Sequence, residues 1–130
     1  MDKAPLVIDE IEAGAAFVKR MDEYEPVKAA YWLRSDEEGE RYLHVAIEGL
    51  DEYKTDRLYG EVRRITGDMK DQYLDPFRVK VVSTNDPIAK AVMDIYRRFP
   101  DRAPPRFTGA VLGGVAVAEV YIYPQLPQRQ

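Results

Sequence analysis

The sequence predicts an α+β fold, a two-layer sandwich of helices packed on a mixed sheet. Stretches with apolar residues at helical spacing alternate with stretches in which side chains alternate in strand fashion, and two of the helical stretches separate strands. Connections between parallel strands are right-handed, which puts both crossover helices on one face of the sheet. The expected order is α-β-β-α-β-α-β with four strands, and the 130 residues suit one domain with frayed ends at 1–7 and 124–130.

The chain begins with a helix and a β-hairpin. Apolar residues recur at helical spacing over residues 9–24, and Pro26 ends that helix. Residues 27–34 and 42–48 each alternate between two unlike rows of side chains, as strands do. Because the intervening segment 35–39 is polar and contains a glycine, the two strands are predicted to form an antiparallel hairpin.

A second helix and a third strand follow the hairpin. The apolar residues of 54–67 form one helical stripe, and Gly67 is placed to cap its end. Residues 77–81 alternate apolar and basic side chains. This pattern predicts a strand whose apolar row starts at Phe77.

The last helix and strand have clear local signals. Asp86 is a favourable N-cap and a proline follows it at the first helical position, which predicts a helix over 87–98. Residues 115–123 alternate once more and predict the final strand. The alternative is that 107–112 pairs with it across two consecutive glycines, which would give the sheet a fifth strand.

Composition excludes several classes of function. With no cysteine and one histidine, the chain lacks thiol nucleophiles, disulfides and metal sites that need several imidazoles, so we expect no metal and no cofactor. Charges throughout the first 30 residues fit neither a signal nor a transit peptide, and a cytoplasmic location is the default expectation. The longest weakly polar run, 108–118, is broken by three glycines, which argues against membrane insertion.

The predicted sheet has one face that combines aromatic and basic side chains. If the apolar rows face the helices, the opposite face collects Trp32, Arg34, Tyr42, His44, Arg78, Lys80, Tyr121 and Tyr123. Such a face can stack nucleic-acid bases, but it can equally pack under the first helix or against a protein partner. The acidic total, a net charge of −4, favours a protein over a nucleic acid.

A second candidate surface is the arginine- and proline-rich segment after the third helix. Its four arginines are Arg97, Arg98, Arg102 and Arg106. Arginine forks on an extended proline-rich backbone suit an acidic partner. The alternative is that the first two interact with the end of their own helix and the other two pair with the acidic N-terminal half.

Catalysis has one candidate, His44, as a general base oriented by Glu48 or Glu119. A lone histidine on a strand is more often structural, so the sequence favours a non-catalytic protein. The leading hypothesis is a small protein-interaction module that self-associates or binds a protein partner. Single-stranded nucleic-acid binding by the aromatic face is the alternative, and a small-molecule enzyme centred on His44 is a third.

Overall fold

The computed structural model describes residues 8–36, 39–100 and 106–127. The elements in chain order are α1 (Ile8–Tyr24), β1 (Ala29–Arg34), β2 (Tyr42–Ile47), α2 (Glu52–Met69), a 3-10 turn (Pro76–Arg78), β3 (Val79–Ser83), α3 (Pro87–Arg98), β4 (Arg106–Leu112) and β5 (Val115–Ile122). The α+β class and the order of the predicted elements are confirmed. None of the helices in the described ranges is long and apolar enough to span a bilayer.

The sheet has five strands in the order β3-β2-β1-β5-β4. β2 and β3 are parallel, and all the other neighbouring pairs are antiparallel. The predicted β1–β2 hairpin is present. The fifth strand, which the sequence allowed as an alternative, is also present, because β4 pairs with β5. Gly113 and Gly114 form the turn between them, with φ angles of +59° and +80°.

The helices lie on both faces of the sheet, which corrects the expected two-layer arrangement. One apolar cluster joins α1 and α2 to one face, and a second joins α3 to the other. The rule that crossovers between parallel strands are right-handed determines on which face α2 lies, because α2 connects the parallel strands β2 and β3. It does not constrain α3, because the strand pairings make β4 antiparallel to β3. The crossover helices therefore need not share a face.

Burial on both faces gives a core in two halves. The face under α1 and α2 buries Ala30, Trp32, Leu43, Val45, Ile47, Val79 and Val81 against Phe17, Met21, Leu58, Val62 and Ile65. The face under α3 buries Ala29, Tyr31, Leu33, Ala46, Val120 and Ile122 against Ala89, Val92 and Tyr96. β1 is thus apolar on both sides, as expected of a central strand.

Two of the boundaries that differ from the prediction have clear local causes. The Asp75 side chain accepts from the Phe77 N–H at 2.8 Å and caps a 3-10 turn, so β3 begins only at Val79. α2 continues past Gly67 and ends at Lys70, which adopts the left-handed conformation at φ 52°. Pro76 at the start of the 3-10 turn has the φ angle that such a turn needs.

The two edge strands of the sheet differ. Three outward-facing groups of β3 already have partners, because the Val79 N–H donates to Pro76, the Val81 N–H donates to the Tyr59 hydroxyl at 3.0 Å, and the Ser83 carbonyl accepts from Asp86 at 3.0 Å. Among described residues, the outer backbone side of 107–112 in β4 has no hydrogen-bond partner. β4 is therefore the open edge.

Candidate functional site

The eight side chains predicted on one sheet face lie on both faces. Directly opposed residues of neighbouring strands share a face. Trp32 opposes Leu43 and Tyr121, whereas Tyr42 opposes Leu33. Trp32, Arg34, Arg78, Tyr121 and Tyr123 are on the side of α1 and α2, and Tyr42, His44 and Lys80 are on the side of α3. The predicted common face is wrong because the β1–β2 register pairs even-numbered residues of one strand with odd-numbered residues of the other, which puts Trp32 and Tyr42 on opposite faces.

Trp32 and Tyr123 attach α1 to the sheet. Trp32 is 1% exposed, and its Nε1–H donates to the Tyr123 hydroxyl at 2.8 Å. That hydroxyl in turn donates to the Ile11 carbonyl at 2.7 Å, and burial raises the pKa of Tyr123 well above its usual range. The Arg78 guanidinium lies 4.8 Å from the centre of the indole ring. Trp32 and Tyr123, two of the four rings on which the predicted stacking platform depended, are therefore used inside the protein.

Five charged side chains form a cluster between α1 and the sheet. Glu10 accepts from Arg78 at 2.8 Å and from Arg41 at 3.4 Å. Arg41 also lies 3.5 Å from Glu119, and Arg34 lies 3.6 Å from the same carboxylate. All five are largely buried, where mutual pairing offsets the cost of desolvation. Arg34 and Arg78, predicted as surface cations, thus pair with carboxylates of their own chain.

His44 stacks on Tyr31 on the α3 side, with ring centroids 5.1 Å apart and planes 9° from parallel. Its Nδ1 lies 3.0 Å from the Tyr42 carbonyl, which can only accept, so Nδ1 carries the proton. Burial lowers the pKa of His44 to about 4, and the imidazole is neutral at pH 7. Of the two carboxylates expected to orient it, Glu48 is exposed beyond the end of β2 and Glu119 is on the opposite face.

Lys80 and Tyr42 remain at the partly exposed corner of the α3 face. The Lys80 ammonium lies 4.4 Å from the centre of the Tyr42 ring, within the range of a cation–π contact. Lys80 is exposed and Tyr42 is half-buried. This pair is the part of the predicted aromatic and basic face that solvent reaches on this side.

The arginines of the second predicted surface have separate surroundings. Arg97 and Arg98 both bond to Asp94 of α3, at 3.1 and 3.0 Å. The Arg106 guanidinium lies 5.8 Å from the Tyr121 ring, and Arg102 lies outside the described residues. The pairs with Asp94 are highly exposed and contribute little to stability. Arg97 and Arg98 thus each pair with a carboxylate of their own helix.

Twelve consecutive residues without a charged side chain, 107–118, form most of the β4–β5 hairpin and are called the uncharged hairpin below. Val111 is 68% exposed and Val115 is 39% exposed, and Ala116, which opposes Val111, is exposed as well. Gly113 packs so closely on the Pro87 carbonyl that a Cβ would overlap it. The hairpin is therefore seated on α3, and Val111 and Ala116 form a small apolar patch on one face beside the open edge of β4, while Val115 opposes Leu112 on the other face.

Comparison with known proteins finds no relative: no protein-family model, no curated protein and no solved structure matches the chain. In the described parts of the chain, no group of three or more histidine, cysteine, aspartate or glutamate side chains is arranged to hold a metal ion.

Two surface features lie outside the predicted site residues. The charge-free run 107–118 is visible in the sequence, where its glycines argue against membrane insertion. Phe77 was placed in the apolar row of a strand, yet it is 88% exposed on the 3-10 turn. Its local signal was Asp75 followed by proline, a capped turn rather than the start of a strand.

Proposed function

We propose that this chain is a small protein-binding module that pairs with a second copy of itself through the uncharged hairpin. The observation that carries the proposal is the exposure of Val111 and Ala116, which oppose each other on one face of the hairpin, within twelve residues that contain no charge in a chain that is 32% charged. Exposed apolar patches with a polar surround are typical of contact sites between proteins.

Charge supports a second copy as the occupant. Each copy carries a net charge of −4, so two copies repel overall, and a contact patch without ionisable groups adds no local like-charge contact to that repulsion. In a two-fold dimer the same patch occurs on both sides of the interface, and residues near the axis meet their own counterparts. An uncharged patch avoids the like-charge contacts that this symmetry would otherwise create.

The interaction is expected to be weak, because the patch presents only a few apolar side chains. Small interfaces are transient, and we expect a dissociation constant of about 1–100 µM. Sedimentation velocity over a concentration range that brackets these values should show the mass rising from 14.9 kDa toward that of a dimer.

The decisive variant is Val111→Glu, which places two carboxylates at the interface without disturbing the core. It should remain at 14.9 kDa and weaken dimerisation by at least about tenfold. Tyr53→Glu is the matched control, since Tyr53 is 77% exposed on α2, away from the hairpin. A wild-type chain that stays monomeric, or a Val111→Glu variant that dimerises as well as wild type, would refute the proposal.

The two alternatives have fewer supporting features. For single-stranded nucleic-acid binding, Tyr42 and Lys80 are accessible, but Trp32 and Tyr123 are buried in the protein. The acidic pI of 5.1 also disfavours a phosphate backbone as ligand. For catalysis, His44 would be the base, but its pKa is lowered to about 4, and this makes it a weak proton acceptor near neutral pH.

A further inference from the structure

The exposure of Phe77 and Arg78 is the reverse of what is usual for their residue types. Phe77 projects into solvent, whereas the Arg78 side chain turns inward to Glu10 and covers the Trp32 ring. Large apolar side chains are usually buried and arginine is usually exposed. The inversion exposes an aromatic side chain at a fixed position.

The turn that carries Phe77 is firmly held. The Asp75 carboxylate accepts from the Phe77 N–H at 2.8 Å, and the Asp75 carbonyl accepts from the Arg78 N–H at 3.1 Å. The Arg78 guanidinium donates to the Tyr73 carbonyl at 3.0 Å and to Glu10 at 2.8 Å. A preorganised aromatic group loses little conformational entropy when a partner covers it.

Phe77 borders a cleft of about 330 Å³ between α2 and β3. Its other lining residues are Tyr59, Val62, Arg63, Pro76, Val79 and Lys80. This volume is near the lower end of the range for ligand pockets, roughly 300–1,000 Å³. It suits one large apolar side chain rather than an extended ligand.

The charge of the cleft indicates the kind of partner. Arg63 is exposed at its rim and no acidic residue lines it, whereas Lys80 lines the cleft from β3 with its ammonium over Tyr42 on the α3 side. Arg63 forms no ion pair with any carboxylate in the described part of the chain. A carboxylate beside an apolar anchor would thus meet the Arg63 guanidinium.

The outer edge of β3 restricts how the partner can bind. The Tyr59 hydroxyl occupies the Val81 N–H, so a partner strand cannot use that donor to extend the sheet. Binding at this place must rely on side chains that enter the cleft.

We propose that the Phe77 cleft binds an acidic segment of a partner protein, in which one large apolar side chain inserts between α2 and the 3-10 turn and flanking carboxylates pair with Arg63. This site is separate from the uncharged hairpin and does not depend on dimerisation.

A random peptide library displayed on phage, selected on the wild-type chain and counter-selected on Phe77→Ser, tests this proposal. The expected winners carry one large apolar residue next to at least two acidic ones. A fluorescently labelled winner, followed by polarisation, should bind at least about tenfold more weakly to Phe77→Ser and to Arg63→Glu. Its affinity should also fall as salt is added.

Tyr53→Ser is the matched control, because Tyr53 is an exposed aromatic residue with Arg57 beside it, 6.0 Å from its ring. Circular dichroism and Trp32 emission check that each variant is folded. The proposal is overturned if no peptide is enriched over the Phe77→Ser counter-selection, if the enriched peptides lack acidic residues, or if Tyr53→Ser weakens binding as much as Phe77→Ser. Because dimerisation is measured separately by sedimentation, the two proposals can fail independently.

Discussion

Removing the Tyr123 hydroxyl tests the attachment of α1 to the sheet. Tyr123→Phe keeps the ring but deletes the oxygen that accepts from Trp32 Nε1–H and donates to the Ile11 carbonyl. The same oxygen lies over Gly14, where an added Cβ would overlap it and would come within 2.8 Å of Trp32 Nε1. Glycine at position 14 is thus the residue that lets the hydroxyl approach the helix.

The expected cost follows from the groups left without partners. The buried Trp32 N–H loses its acceptor, which costs about 1–3 kcal/mol. The Ile11 carbonyl keeps its helical N–H partner and loses about 0.5–1 kcal/mol. Tyr123→Phe should therefore lower the free energy of unfolding by about 2–3 kcal/mol.

Gly14→Ala provides the second arm of a double-mutant cycle. In an open helix this change is worth about 1 kcal/mol in favour of alanine. Here the methyl group meets the Tyr123 hydroxyl, and we expect a net loss of about 1–3 kcal/mol. In the Tyr123→Phe background the main obstacle is gone, so the double variant should be more stable than the sum of the single effects implies, by about 1 kcal/mol or more.

Urea unfolding followed by Trp32 fluorescence and circular dichroism gives all four free energies. The reasoning would be refuted by a Tyr123→Phe cost below about 0.5 kcal/mol, by a stabilising Gly14→Ala, or by strictly additive effects.

The remaining predictions concern pH and helix capping. Because the pKa of His44 falls from 6.5 unfolded to about 4 folded, the unfolded chain binds the proton more readily; stability should be full above pH 6.5 and fall as pH drops toward 4. The loss of unfolding free energy is on the order of 2–3 kcal/mol. Urea titrations at several pH values should show that the unfolding free energy of His44→Gln depends less steeply on pH than that of the wild type. An equal dependence would mean that other groups cause the effect. Asp86→Ala removes the cap that accepts from the Ile88 and Ala89 N–H groups at 3.0 and 3.1 Å, and should cost about 1–2 kcal/mol in thermal or urea unfolding. Asp86→Asn is the control, and it should retain most of the stability if capping is the cause.

Local signals in the sequence predict an element correctly where a few adjacent residues determine its structure. The third helix has the predicted bounds, 87–98, because Asp86 caps it and a proline follows at the first position. The β1–β2 hairpin was also predictable, since a polar turn joins two strands that pair with each other. In both cases the determining contacts are close in sequence.

Contacts between distant residues explain what the sequence did not predict. β1 lies at the centre of the sheet because β5 inserts beside it, so Tyr31 and Trp32 are both buried on opposite faces and period-2 alternation cannot tell which face is exposed. Arg78 turns inward because Glu10, 68 positions earlier, is buried opposite it. The binding surfaces proposed here therefore differ from the predicted aromatic face.

The unequal edges of the sheet limit how far the chain can assemble by strand pairing. Building a filament edge to edge requires two usable edges on every molecule, one to receive a strand and one to offer. On β3, the outward-facing backbone groups already form hydrogen bonds with Tyr59, with Pro76 and with the turn before α3. A molecule joined through β4 has no second edge of this kind to continue the sheet, so growth by this route stops after a single pairing event.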